Sequence, residues 1–191
     1  MKFGRKIDAL HMKQLGLIKE AHKTVTGCIV TGGWAVEGIH QKYTEVRSLL
    51  RSHDNADFMV AEKYIKEINY TLDEFEMDRY QELGGNIHVK RKDGLKADVV
   101  VLYSKTKSKK KFWKYKTPYH REEFTIPTAL LQSVDVKVED VKFRALNPTA
   151  LYLAKIFTKH HMVGTDIFDA SVLGPYVDPK MLKKMMPYTG I

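Results

Sequence analysis

Two adjacent glycines constrain this chain more than any other feature. In "GCIVTGGWAVEGIHQKY", Gly32 and Gly33 close a short apolar run and open a segment of helical pattern. A glycine pair between strand and helix tolerates positive φ, and it lets backbone N–H groups approach an anion at the helix N-terminus. The same pair also suits a plain tight turn. The Gly-Lys-Ser/Thr ending of a P-loop is absent, and so is GxGxxG spacing.

An acidic cluster leads into the next apolar run. "RSHDNADFMVA" passes from Arg51 through His53-Asp54-Asn55-Ala56-Asp57 into strand-like sequence. Asn55 and Asp57 are two apart, so on a strand they share a face, where two oxygen ligands can hold one Mg²⁺. Asp54 points the other way unless a bulge re-aims it. Asp98, in "LKADVVVLY", enters a third apolar run. A carboxylate there either faces solvent at the strand start or needs a partner or a metal, because burying it alone is costly.

The rest of the pattern is α/β. Ile7 to Thr24 follows helical spacing, with lysines opposite Ile7, Leu10, Leu17 and Ile18. Strands are expected near 28–31, 56–60, 86–91 and 96–103, the last two joined at Asp93-Gly94 as a hairpin. Helix is expected over 62–69, continuing after a break over 72–83, with the acids of 70–80 on a solvated face. "KFWKYKT" reads as a strand, Pro118 to Pro127 as irregular, and "VDVKVEDVKFRAL" as short strands. Asn147 caps a helix with Pro148 in its first turn. Helices over 149–161, 166–173 and 179–186 complete the tail, with His160-His161 as a partly exposed pair at a helix end. The reading is an α/β region over 1–146 and a helical subdomain over 147–191.

Composition narrows the class. The chain of 191 residues carries a net charge of +9, which favours anionic partners. Its apolar runs are too short to span a bilayer, there is no signal-peptide pattern, and the single Cys28 excludes an internal disulfide. A cytoplasmic protein is expected. No Ser/His/Asp or Cys/His nucleophile set is readable. Ser104 to Lys116 holds seven lysines among Phe112, Trp113 and Tyr115. That segment reads either as a solvated hairpin tip or as a nucleic-acid contact, with lysines on phosphates and aromatics under bases.

"TGGWAV", then "RSHDNAD", then "KADVVVL" resemble, in this order, the nucleotidyltransferase superfamily. The likeness is strongest to the aminoglycoside and lincosamide antibiotic nucleotidyltransferases and to the nucleotidyltransferase toxins of toxin–antitoxin systems. Gly32, Gly33, Ala35, Arg51, His53, Asp57 and Asp98 fall on the family pattern. Lys155, Asp166 and Asp169 in the tail match a helical lysine followed by Asp-x-x-Asp, so the resemblance reaches from about Val30 to about Leu173. It implies a mixed twisted sheet with flanking helices and a helical C-terminal part. It also implies transfer of a nucleoside monophosphate from a nucleoside triphosphate to an acceptor hydroxyl of a small molecule or an RNA end, with Mg²⁺. In that scheme Gly32, Gly33, Arg51 and Lys155 bind the nucleotide, Asn55, Asp57 and Asp98 hold metal, and Asp57 and Asp98 are catalytic, Asp98 as base if it faces the acceptor. The basic segment favours RNA as acceptor. There is one departure: Asn55 stands where the family has the first Asp of Asp-x-Asp. A neutral carbonyl there is a weaker metal ligand, so the resemblance also admits a degenerate nucleotide- or RNA-binding module.

Overall fold

The computed structural model describes residues 7–77, 86–105, 112–116, 123–127, 131–157 and 164–186. The first helix, α1 (Ala9–Thr24), begins at Asp8, whose side chain accepts from the His11 N–H at 2.9 Å. Strand β1 (Ile29–Thr31) runs straight into α2 (Gly32–Tyr43), and β2 (Ala56–Ala61) follows. A 3₁₀ turn (Glu62–Tyr64) then leads into α3 (Ile65–Thr71). Beyond it lie β3 (Glu76–Met77), β4 (Asn86–Lys90), β5 (Lys96–Lys105), β6 (Phe112–Lys116), β7 (Glu123–Pro127), β8 (Ser133–Val138) and β9 (Val141–Leu146). Helices α4 (Pro148–Phe157), α5 (Gly164–Leu173) and α6 (Pro179–Met185) close the chain.

The sheet is mixed, with order β3-β4-β5-β2-β1-β9-β8, and the far end of β5 carries β6, which carries β7. The pairs β2–β5 and β1–β9 are parallel, and the others antiparallel. The α/β architecture with a mixed sheet is thus the expected one. One apolar cluster joins Leu15 and Ile18 of α1, Trp34 and Ile39 of α2, Phe58 and Val99 of the central strands and Phe143 of β9. Leu151, Leu173 and Met185 of the last three helices belong to the same cluster. Asn147 caps α4 as expected, its Oδ1 accepting from the Ala150 N–H at 2.9 Å.

Two local expectations are overturned. Residues 72–77 do not continue a helix: the chain turns after Leu72, and Glu76–Met77 pairs with β4 as an edge strand. Satisfying the open backbone edge of β4 outweighs the weak helical pattern. Residues 123–127 are not irregular but pair with β6 along their whole length. Pro127 ends that strand, a position where its missing N–H is tolerated. Gly38, a poor helix residue by propensity, lies inside α2 because a side chain there would run into Val136 Cγ2 at 2.6 Å and Phe143 Cζ at 3.2 Å. The helix sits that close to β8 and β9.

Candidate active site

Strand register builds the site. Thr31 pairs with Asp57, Asp57 with Asp98, and Asp98 with His88, across four neighbouring strands. Paired residues point to the same side of a sheet, and side chains alternate along each strand. Ala56, Phe58, Val60, Ala97 and Val99 are therefore buried on one face, while Asp57 and Asp98 sit half-buried on the other. Asn55, two residues before Asp57, joins that row. Asp54 is exposed, so no bulge turns it into the site.

The glycine turn meets this row directly. Gly32 has φ +61°, and the Asp57 carboxylate fills the space where a side chain at Gly32 would project. Gly33 is as tightly placed: a Cβ there would lie 2.5 Å from His53 Nδ1 and 2.6 Å from Arg51 Nη2. Thr31, the residue before α2, makes no side-chain cap, and the first turn of α2 holds no acid. The free N–H groups of a helix start therefore face the same region as Arg51.

Asn55 bridges the carboxylates. Its Nδ2 donates to Asp57 Oδ1 at 2.8 Å and to Asp98 Oδ2 at 2.6 Å. The other Asp98 oxygen lies 2.7 Å from His88 Nδ1. Burial first, and the neighbouring Asp98 charge second, push Asp57 up to about 7, with Lys155, Arg51 and the Asn55 hydrogen bond pulling the other way. Among the described residues no group of three or more His, Cys, Asp or Glu is arranged to hold a metal ion. The oxygen donors of Asp57, Asp98 and the Asn55 amide nonetheless suit a hard divalent cation such as Mg²⁺, since an amide presents either its nitrogen or its oxygen at nearly the same place.

The cations come from far along the chain. Arg51 Nε and Nη2 donate to Asp169 Oδ1 and Oδ2 at 2.8 and 2.7 Å, and Arg51 Nη1 donates to the Ser52 carbonyl. Lys155 Nζ lies 2.8 Å from Asp166 and 2.9 Å from Asp169. Burial alone would raise Asp169, but Arg51 and Lys155 hold it below the usual carboxylate range. The tail helices α4 and α5 thus attach the lysine to the arginine through one buried carboxylate.

Beneath the glycines lies a buried polar network. The Trp34 Nε1–H donates to Gln14 Oε1 at 3.0 Å, and Gln14 Nε2 donates to the His53 carbonyl. The His53 N–H donates to His11 Nε2, and its ring stacks at a tilt on Trp34 with centroids 4.3 Å apart. Glu37, fully buried in α2, accepts from the Leu50 N–H and from Gln41 Nε2 at 2.9 Å each, and lies 3.5 Å from His53 Nε2. Glu37 therefore holds both ends of the segment that carries Arg51. Burial keeps His53 below its ordinary pKa.

Every nucleotide- or metal-binding candidate read from the sequence meets in this one region: Gly32, Gly33, Arg51, Asn55, Asp57, Asp98 and Lys155. His88 and the Glu37 network were not legible there. Glu37 had a faint signal, a lone acid inside an apolar helix. His160-His161 and the lysine-rich residues 106–111 lie outside the described residues. On either side of the latter, β5 and β6 pair antiparallel, with Ser104 opposite Trp113. No described helix is long and apolar enough to cross a membrane.

No protein-family model matches the sequence, and no curated protein is significantly similar to it. Solved structures do resemble it. The lincosamide antibiotic adenylyltransferase LnuA, with lincomycin bound, superimposes with a TM-score of 0.59 at 14% identity, over 90% of this chain and 98% of that one. ANT(2'')-Ia in complex with adenylyl-2''-tobramycin gives 0.59 at 10% identity, over 94% of each chain. The same ANT(2'')-Ia, in solution as an antibiotic-resistance factor, gives 0.59 over 91% of this chain. Identities this low speak for backbone architecture alone, and that architecture, from the glycine turn to the last helices, is the nucleotidyltransferase fold.

Proposed function

We propose that this protein transfers a nucleoside monophosphate from a nucleoside triphosphate to an acceptor hydroxyl, with Mg²⁺ at Asp57 and Asp98. One observation carries the reading: two carboxylates face each other on parallel strands directly beside an uncapped helix N-terminus opened by glycines. The N–H groups at Gly32 and Gly33 receive phosphate oxygens, and the tightness at Gly33 keeps side chains out of their way. Arg51 and Lys155, oriented by Asp169, neutralise the triphosphate. A bound divalent cation supplies the positive charge that offsets charge build-up at the reacting phosphate and acidifies the acceptor hydroxyl. The acceptor oxygen bonds to the α-phosphorus, the bond to the β-phosphate oxygen breaks, and pyrophosphate leaves. Asp98, half-exposed at the row's open side, takes the hydroxyl proton.

The solved relatives named above bind lincomycin or carry adenylyl-tobramycin, which supports a small hydroxylated acceptor. The lysine-rich sequence between β5 and β6 supports an RNA end. Incubation with labelled nucleoside triphosphates, Mg²⁺ and either pooled tRNA or aminoglycosides and lincosamides tests both. Label on one acceptor, lost in Asp98→Asn, is the expected result. Folded protein that neither binds a triphosphate nor transfers label overturns the reading.

A second reading has its own observation. The Asn55 amide donates to both carboxylates, which favours a protein that binds nucleotide or RNA without turnover. Triphosphate binding without transfer, with transfer appearing in Asn55→Asp, would select it.

A further inference from the structure

The two carboxylates share one point, and Asn55 occupies it. Asp98 Oδ1 lies 2.7 Å from His88 Nδ1, and Asp57 Oδ2 lies against Gly32, where a side chain would project. The remaining oxygens, Asp57 Oδ1 and Asp98 Oδ2, converge on Asn55 Nδ2 at 2.8 and 2.6 Å. The amide's two N–H bonds thus do what a cation would do, placing positive charge between facing carboxylates. A donor set that converges on a single point, with two negative charges, balances one divalent ion. Arg51 and Lys155 already act on Asp57 with positive charge, so two carboxylates need no second ion for balance.

We propose that Asn55 makes this a one-cation site and serves as its gate. Without metal the amino group faces Asp57 and Asp98. With metal the amide turns over, and its carbonyl oxygen becomes the third ligand. Turning the amide exchanges donor for acceptor with little change of shape, so the empty site keeps its carboxylates paired and the filled site gains a neutral ligand. The proposal rests on the nucleotidyl-transfer reading, and it departs from the family pattern, in which a carboxylate stands at the place of Asn55.

The test uses the full chain. Wild type and Asn55→Asp are titrated with Mn²⁺ alone, with free Mn²⁺ followed by electron paramagnetic resonance. The expected result is one Mn²⁺ per wild-type chain and a second on Asn55→Asp. In parallel, the ¹⁵N-labelled side-chain amide of Asn55, assigned by its loss in Asn55→Asp, is followed during a Mg²⁺ titration. Its two proton signals should shift and saturate at one equivalent. Two Mn²⁺ per wild-type chain, equal counts in both variants, or amide signals that ignore Mg²⁺ while Mn²⁺ binds would each overturn the gate. If label transfer persists in those cases, the gate fails alone. If neither folded variant binds Mn²⁺ or a triphosphate, nucleotidyl transfer fails together with it.

Discussion

Arg51 and Asp169 stand 118 positions apart in the chain and meet in a two-bonded ion pair, with Asp169 fully buried and shared by Lys155. Removing one partner of such a pair strands a buried charge. Asp169→Ala should therefore cost about 3–5 kcal/mol, read from urea denaturation. It should also weaken triphosphate binding, because Arg51 loses its two-bonded partner and Lys155 keeps Asp166 but loses Asp169. A loss below about 1 kcal/mol, within the range of exposed pairs, would show the pair to be dispensable.

Gly32 is held at φ +61° with the Asp57 carboxylate in the place of its side chain. Gly32→Ala adds left-handed backbone strain of about 1–2 kcal/mol and displaces Asp57. The expected outcome is loss of Mn²⁺ binding and of label transfer in a protein that still unfolds cooperatively. Retained Mn²⁺ affinity would mean that Asp57 is not needed to hold the ion.

Asp57 gives a pH signature. Its pKa in the fold is about 7 against an ordinary 3.8, mainly from burial and then from Asp98. Between these values the folded state holds a proton that the unfolded state has lost, so this group's contribution to stability falls as pH rises through that window. In chelator, Asp57→Asn should therefore raise stability at pH 8 by about 2–4 kcal/mol. The gain should shrink towards pH 4. Denaturant melts of both proteins across pH check this, and a gain independent of pH would contradict it.

Gly38→Ala would normally strengthen a helix by about 1 kcal/mol. Here the new methyl meets Val136 Cγ2 at 2.6 Å and Cβ at 3.0 Å. The substitution should instead destabilise by about 1–3 kcal/mol. Combining it with Val136→Ala should recover part of that loss, since the two positions touch and their effects should not add.

The sequence by itself determined the parts whose signals are local. Alternating and continuous apolar runs gave β2 and β5, Asn147-Pro148 gave the start of α4, and the glycine pair marked the strand-to-helix turn. Motif order placed Gly32, Asn55, Asp57, Asp98 and Lys155 in one site before any distance was known. Where pattern was weak, at 72–77 and 123–127, pairing with a neighbouring edge decided between helix, loop and strand, and no local signal carries that information.

Tertiary structure alone decided how those residues face one another. A two-residue turn at Asp93-Gly94 would set Val89 opposite Asp98. The actual hairpin closes with the Arg91 N–H on the Leu95 carbonyl and Gly94 at φ +89°, so that a three-residue loop sets His88 opposite Asp98 instead. A slip of one residue reverses every side chain on a strand, so this partner of Asp98 was fixed by turn geometry. The pairing of Arg51 with Asp169 and the grip of Glu37 on the segment before β2 join residues from separate elements, and they exist only once the helices pack. Chemical type at each position is written in the sequence. The direction of the Asn55 amide depends on which carboxylates surround it, and only the fold brings them there.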